Sequence, residues 1–156
     1  MMPLSTANEP AVLALNNAHA QELSWLEPLA LRALVGQAFS AQVIGEADAF
    51  LLALDQSAAY DSPNYAWLKA RYPRFVYVDR IAVAAHARGR GLARLLYEDL
   101  FARAKSAGHD LVVCEVNAVP PNPGSDAFHA ALGFTEVGQA VLPDRGRTVR
   151  YLARRL

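Results

Sequence analysis

The sequence predicts an α+β protein, one mixed sheet with helices packed on it. Three observations predict it. The run Phe75-Val76-Tyr77-Val78-Asp79-Arg80-Ile81-Ala82-Val83 is rich in the β-branched and aromatic residues that favour strands. Leu92, Leu95, Leu96 and Leu100 recur at spacings of three and four, which puts them on one helical face, and Gly108 is placed to end that helix. The runs Gln37 to Ile44 and Ala49 to Leu54 flank Gly45-Glu46-Ala47-Asp48, a turn sequence that suits an antiparallel hairpin.

The remaining elements follow in chain order. Ala11 to Leu15 is short and apolar and reads as a strand, with helices over His19 to Ser24 and Pro28 to Val35. Strands are therefore expected to dominate both ends of the chain, with helices in the middle. Asp55 to Pro73 reads as a long aromatic loop holding Tyr60, Tyr65, Trp67 and Tyr72, with Pro63 able to open a short helix. Leu111 to Asn117 is a strand. After Pro120-Pro121-Asn122-Pro123-Gly124 comes a short helix that Gly133 stops, with Ala127, Phe128, Ala131 and Leu132 as its expected core face. Phe134 to Leu142 and Thr148 to Leu152 close the chain as a strand pair around Pro143-Asp144-Arg145-Gly146.

At 156 residues one domain, 1–156, is expected. Fifteen basic residues balance fifteen acidic ones, so no global field draws the chain to nucleic acid or an anionic membrane, and any phosphate site must be local. No apolar stretch approaches the ~20 residues that span a bilayer. A single cysteine, Cys114, and the lack of a leader-like start favour a reducing, cytoplasmic setting. No metal is expected.

The turn after the strong strand carries the chemistry. Arg88-Gly89-Arg90-Gly91-Leu92-Ala93 joins a strand to a helix through small residues, which leaves backbone N–H groups and the positive end of the helix dipole free for an anion. It lacks the third glycine of a dinucleotide fingerprint and the Gly-Lys-Ser/Thr ending of a P-loop. It does resemble the central motif of the Gcn5-related N-acetyltransferases (GNAT), Arg/Gln-x-x-Gly-x-Gly/Ala, met here by Arg88, Gly91 and Ala93. Ile81-Ala82-Val83 upstream looks like that family's fourth strand. Asn122, with Phe128-His129 and Leu132-Gly133-Phe134 behind it, is similar to the family's second half.

The resemblance implies a mostly antiparallel sheet of six to seven strands with helices on both faces, whose parallel fourth and fifth strands splay apart around the pantetheine arm of acetyl-CoA. It implies cofactor binding by Ile81, Ala82 and Val83, by the amides of Arg88, Gly89, Arg90, Gly91, Leu92 and Ala93, and by Asn122 and Ser125. The implied function is direct acetyl transfer to a primary amine of a small-molecule acceptor; a non-catalytic acetyl-CoA-binding regulator of a partner protein is the alternative. Pairing of the C-terminal strands offers a route to a homodimer.

Transfer needs a base for the amine and a proton for the departing thiolate. Glu115, a carboxylate in an apolar strand, faces the side of Leu111, Val113 and Asn117, and reads either as the base, acting through water, or as a structural carboxylate. Asp79 is the rival base, and its neighbour Arg80 is expected on the opposite strand face. His129 stands where many family members have a tyrosine acid, and is either the acid here or a packing residue. That role is not transferred to Tyr97, on another helix. Cys114 reads as a buried structural residue. The loop around Tyr60, Asp61, Asn64, Tyr65 and Trp67 reads as a cover for the acceptor amine.

Overall fold

The structure, a computed structural model, describes residues 1–142 and 146–156. Its elements in chain order are β1 (Met2–Pro3), α1 (Glu9–Ala18), α2 (Ala20–Leu23), α3 (Pro28–Gly36), β2 (Ser40–Ile44), β3 (Ala49–Asp55), α4 (Pro63–Arg71), β4 (Val76–Val83), α5 (Leu92–Ser106), β5 (Leu111–Val119), α6 (Pro123–Ala131), β6 (Thr135–Leu142) and β7 (Arg147–Arg155). The seven strands form one sheet in the order β1-β2-β3-β4-β5-β7-β6.

Every neighbouring pair is antiparallel except β4 and β5, which are joined by the crossover helix α5 and run parallel. These two strands meet only at Val76↔Val112 and Tyr77↔Val113. Just beyond that contact the β3–β4 register shifts: Ala53 pairs with Val78 and Leu52 with Arg80, leaving Asp79 unmatched. A bulge of this kind bends its strand and re-aims its side chains. From here on, the side of β4 that faced β5 is free.

The sheet core is built by β3, where Ala49 through Leu54 are all buried. A strand covered on both faces needs no alternation, which is why Ala-Phe-Leu-Leu-Ala-Leu reads as one apolar run. Helix α5 packs against β2, β3, β4 and β5 with Leu92, Leu96, Tyr97, Leu100, Phe101 and Ala104 buried. Leu95, expected on that face, is instead 49% exposed, because the buried stripe is centred on Leu96 and Leu100 and takes in Tyr97 and Phe101.

Four expectations are corrected. Ala11 to Leu15 lies inside α1, so the N-terminal region is mainly helical and only the two residues of β1 are strand. Ala and Leu favour helix, Pro10 sits in the first turn, and Val12, Leu15 and Asn16 make one buried face. Asp55 to Pro73 is less loop than expected: the helix that Pro63 opens does form, capped by Ser62 accepting from the Tyr65 amide, and it runs nine residues. In α6, Ala127 and Ala131 are exposed, while His129 and Leu132 are buried and Phe128 half-buried. The face is turned because His129 finds buried partners. Asp79 and Arg80 do not point apart; the bulge brings Arg80 Nε to 2.8 Å from Asp79 Oδ2. The 143–145 part of the expected last turn lies outside the described residues.

Leu96 is 1% exposed beneath the sheet. Leu96→Ala should lower unfolding free energy by ~2–5 kcal/mol, read as a lower urea midpoint with an unchanged slope.

Candidate active site in the gap between two parallel strands

Where β4 leaves β5, a cavity of about 1080 Å³ opens. Val78 to Val83 line one wall and Cys114 to Asn117 the other. Arg88 and Gly89 close one end, Asn122, Ser125, Phe128 and His129 another, and Leu23 to Leu26, Tyr60, Ser62 and Asn64 rim the remainder.

The end at Arg88 is built for an anion. Gly89 and Gly91 have φ of +79° and +71°, a region that side chains other than glycine avoid. A Cβ at either would meet no heavy atom within 4 Å, so the concavity above the turn is open. The first backbone bond after this turn is Leu95 N to Gly91 O, and among the described residues no amide from Arg88 to Arg94 has an acceptor outside it. Gly91 caps α5 with no side-chain bond, so the dipole of a fifteen-residue helix ends there. These amides fit a pyrophosphate. The side chain of Arg88 reaches to 3.5 Å from His19 Nε2, while the exposed side chain of Arg90 lies 3.8 Å from Asp48. Leu92 is buried, and Ala93 lies in the first turn of α5.

The wall at Ile81, Ala82 and Val83 pairs with β3 on one side only, so its main chain on the β5 side is available to a ligand. Asn122 caps α6, its Oδ1 accepting from Ser125 N at 3.2 Å, and both residues line the cavity.

Two groups of titratable side chains stand on opposite faces of the sheet, because adjacent residues Cys114 and Glu115 point opposite ways. On one face Glu115 Oε1 accepts from Asn64 Nδ2 and from Tyr77 OH, each at 3.0 Å, while Oε2 is buried with no protein partner among the described residues. Burial, aided by the negative charge of Asp79, pushes the Glu115 pKa up to about 8; the bonds from Tyr77 and Asn64 pull against that rise. Asp79 is committed to Arg80, whose Nη1 also donates to Asn16 Oδ1 at 2.9 Å. Both side chains of that pair are almost fully covered, 4% exposed for Asp79 and 6% for Arg80.

On the other face His129 is buried between α5 and α6. Its Nδ1 lies 2.8 Å from the Ser125 carbonyl oxygen, which can only accept, so Nδ1 carries the proton. Nε2 is 2.8 Å from Tyr97 OH and therefore accepts from it when the ring is neutral. Burial lowers the His129 pKa, against the Ser125 carbonyl, which raises it; neutral is the favoured form. Burial holds the Tyr97 pKa well above the ordinary phenol value, with Cys114 adding to the rise.

Of the expected site residues, Asp79, Ile81, Ala82, Val83, Arg88, Gly89, Glu115, Asn122, Ser125 and His129 line this cavity, whereas Arg90, Gly91, Leu92 and Ala93 do not. Of the aromatic segment, Tyr60 and Asn64 line it, Tyr65 is core, Trp67 stacks on Tyr151 at 4.0 Å, and Asp61 is exposed. Sequence reasoning passed over Tyr77 and Tyr151, and it set Tyr97 aside because that residue lies on another helix. For Tyr97 a signal was present: a phenol on the buried stripe of a helix needs a hydrogen-bond partner.

A model of the acetyltransferase (GNAT) family matches residues 39–134. L-2,4-diaminobutyric acid acetyltransferase of Wolinella succinogenes is 31% identical over 67 residues, which cover 43% of this chain and 39% of that protein. The ribosomal-protein-S18-alanine N-acetyltransferase of Escherichia coli superposes with a TM-score of 0.71 at 18% identity, covering 99% of this chain and 91% of that one. The yncA protein of Salmonella typhimurium, solved with its cofactor acetyl-CoA, gives a TM-score of 0.73 at 19% identity over 99% and 92% of the two chains. At such identities the superpositions establish the fold: a mixed sheet with one parallel pair.

A carboxyl whose folded pKa lies above its unfolded value stabilises the fold while protonated, and that contribution fades as pH rises from about 4.5 toward about 8. Relative to Glu115→Gln, the wild type should therefore lose a few kcal/mol of stability across this window, measured by urea unfolding of both proteins at a series of pH values.

Proposed function

Because the chain belongs to the acetyltransferase (GNAT) family, we propose that it is a cytoplasmic acyltransferase, one domain over residues 1–156, that moves the acetyl group of acetyl-CoA directly to a primary amine of a small molecule. One observation carries this reading: a single cavity is lined both by Arg88 and Gly89, where the open turn begins, and by a buried carboxylate with a free oxygen. An amine acceptor agrees with the name of the Wolinella protein.

Acetyl-CoA, when bound, supplies the activated thioester. The amides of Arg88 to Arg94 hold its pyrophosphate charge, aided by the Arg88 side chain and the α5 dipole. Main-chain groups of Ile81, Ala82 and Val83 on their unpaired side bind the arm, with Asn122 and Ser125 at the opposite wall. A carboxylate with a pKa of about 8 is a competent proton acceptor at mildly basic pH, and Oε2 of Glu115 is the atom that takes the amine proton. Asp79, spent on Arg80, assists through its charge and is not the base.

The opposite face returns a proton. Neutral His129 has none to give, since its one N–H is held by the Ser125 carbonyl. The hydroxyl proton of Tyr97 is the transferable one; at rest Nε2 of His129 accepts it, and it turns from that nitrogen to the sulphur when the thiolate leaves. Base and acid thus stand on opposite faces of the sheet, so the amine approaches from the Glu115 face and the sulphur departs toward α5 and α6.

Calorimetric titration should show micromolar acetyl-CoA binding, weakened at least about tenfold in an Arg88→Ala, Gly91→Glu double variant, and a thiol-release screen over primary amines should find turnover. Binding without release on any amine would favour the regulator; no binding by the wild type would sink both readings. The rate should rise with pH through about 8 as Glu115 ionises, and this limb should vanish in Glu115→Gln. Tyr97→Phe should lower kcat with acetyl-CoA by about 10²-fold or more, yet have little effect with the acetyl thioester of an acidic aryl thiol, whose thiolate leaves without a proton. Equal losses with both donors would remove Tyr97 from the mechanism.

A further inference from the structure

Glu115 has one oxygen engaged and one free, and the reason lies outside the cavity. Asn64 could offer Glu115 either end of its amide. Its Nδ2 donates to the Glu115 oxygen while its Oδ1 accepts from Tyr151 OH at 2.9 Å, so the two neighbours together set the direction of the amide. Tyr151 in turn cannot swing: its ring lies against Trp67 with centroids 4.0 Å apart and planes 15° from parallel. Over Trp67 sits the Arg71 guanidinium, 3.5 Å from the ring centroid, and Arg71 Nη1 also donates to the Trp67 carbonyl at 3.0 Å.

Trp67 fits there because residue 138 has no side chain. A Cβ on Gly138 would lie 2.4 and 2.5 Å from two carbons of the indole, too close for any real contact. Gly138 pairs with Tyr151 across β6 and β7, beside the bulge that leaves Val137 unmatched. A continuous stack therefore runs from the edge strand of the sheet to the buried carboxylate.

We propose that Asn64 and Tyr151, clamped by Trp67 seated over Gly138, are positioning residues that hold Glu115 with Oε1 engaged and Oε2 turned to the acceptor amine. The use made of Oε2 rests on the transferase reading; the clamp itself does not. The groups facing Glu115 are Tyr77 and Asp79 from β4, Asn64 from α4, Tyr151 from β7 and, through the sheet, Cys114 and Tyr97. Asp79 and burial favour the protonated acid, whereas Tyr77 and Asn64 favour the carboxylate. If Asn64 turned round, its carbonyl oxygen would face Oε1, and a donor that favours the charged form would become an acceptor that favours the acid.

Tyr151→Phe tests this with the stack intact, since it removes only the hydroxyl; Gly138→Val tests the far end by displacing Trp67. The carboxyl titration of Glu115, followed by carbon NMR of the protein alone and assigned with Glu115→Gln, should move to higher pH by roughly one unit in both variants. The pH–rate profile should move in the same direction, with KM for acetyl-CoA nearly unchanged. A Tyr151→Phe protein that melts like the wild type but titrates Glu115 at the wild-type pH would overturn the clamp and leave the transferase reading standing. So would a kcat lowered equally at every pH with an unmoved limb. A shifted titration in a protein that acetylates no amine would support the clamp and remove the transferase reading.

Discussion

The parting of β4 from β5 is the constraint on which the rest of the structure depends. The two strands share two paired positions, Val76↔Val112 and Tyr77↔Val113, and then the unmatched Asp79 bends β4. An unbroken parallel ladder would have satisfied the main chain of Ile81 to Val83 and filled the space now held by the cavity. The bulge leaves those groups unpaired and covers both members of the Asp79–Arg80 pair. The same strand then delivers the chain into the turn at Arg88, so the amides that end α5 open onto the gap.

Polar groups this deeply buried are costly unless partnered. Arg80 binds Asp79 and Asn16; His129 binds Tyr97 and Ser125; Asn64 binds Tyr151 and Glu115. Against this background the unpartnered Oε2 of Glu115 is conspicuous, because the interior supplied two donors to one oxygen and none to the other. Desolvation of a carboxylate beside Asp79 converts that omission into a raised pKa, which is what a base near neutral pH requires. Among the described residues Ser40 Oγ and His109 Nδ1 are also buried without a partner, but of the three only Glu115 lines the cavity.

Local signals gave much of the chain organisation. The β-branched run ending at Val83, the leucine spacing after Gly91 and the hairpin around Gly45 each encode an element through contacts between near neighbours, and each element is present, although β2 starts at Ser40 and not at Gln37. They fail where local preference is ambiguous. Ala-Val-Leu-Ala-Leu fits a short strand or a helical turn, and the choice went to helix because Asn16, one turn on, could be buried against Arg80 and the Ser24 carbonyl. The face of α6 rotated for a similar reason, since His129 had partners waiting at Tyr97 and Ser125.

By itself the sequence determined the mixed sheet, the strand that enters the glycine turn and the anion-binding character of that turn, because these rest on backbone geometry and on residues within a few positions of one another. Only the tertiary structure decided which side chains share the site. Tyr97 meets His129 across 32 residues, Asn64 meets Glu115 across 51, and Tyr151 meets Asn64 across 87. No local pattern encodes such pairs; they exist because the sheet order places β7 beside β5 and lays α4 and α5 on opposite faces of it.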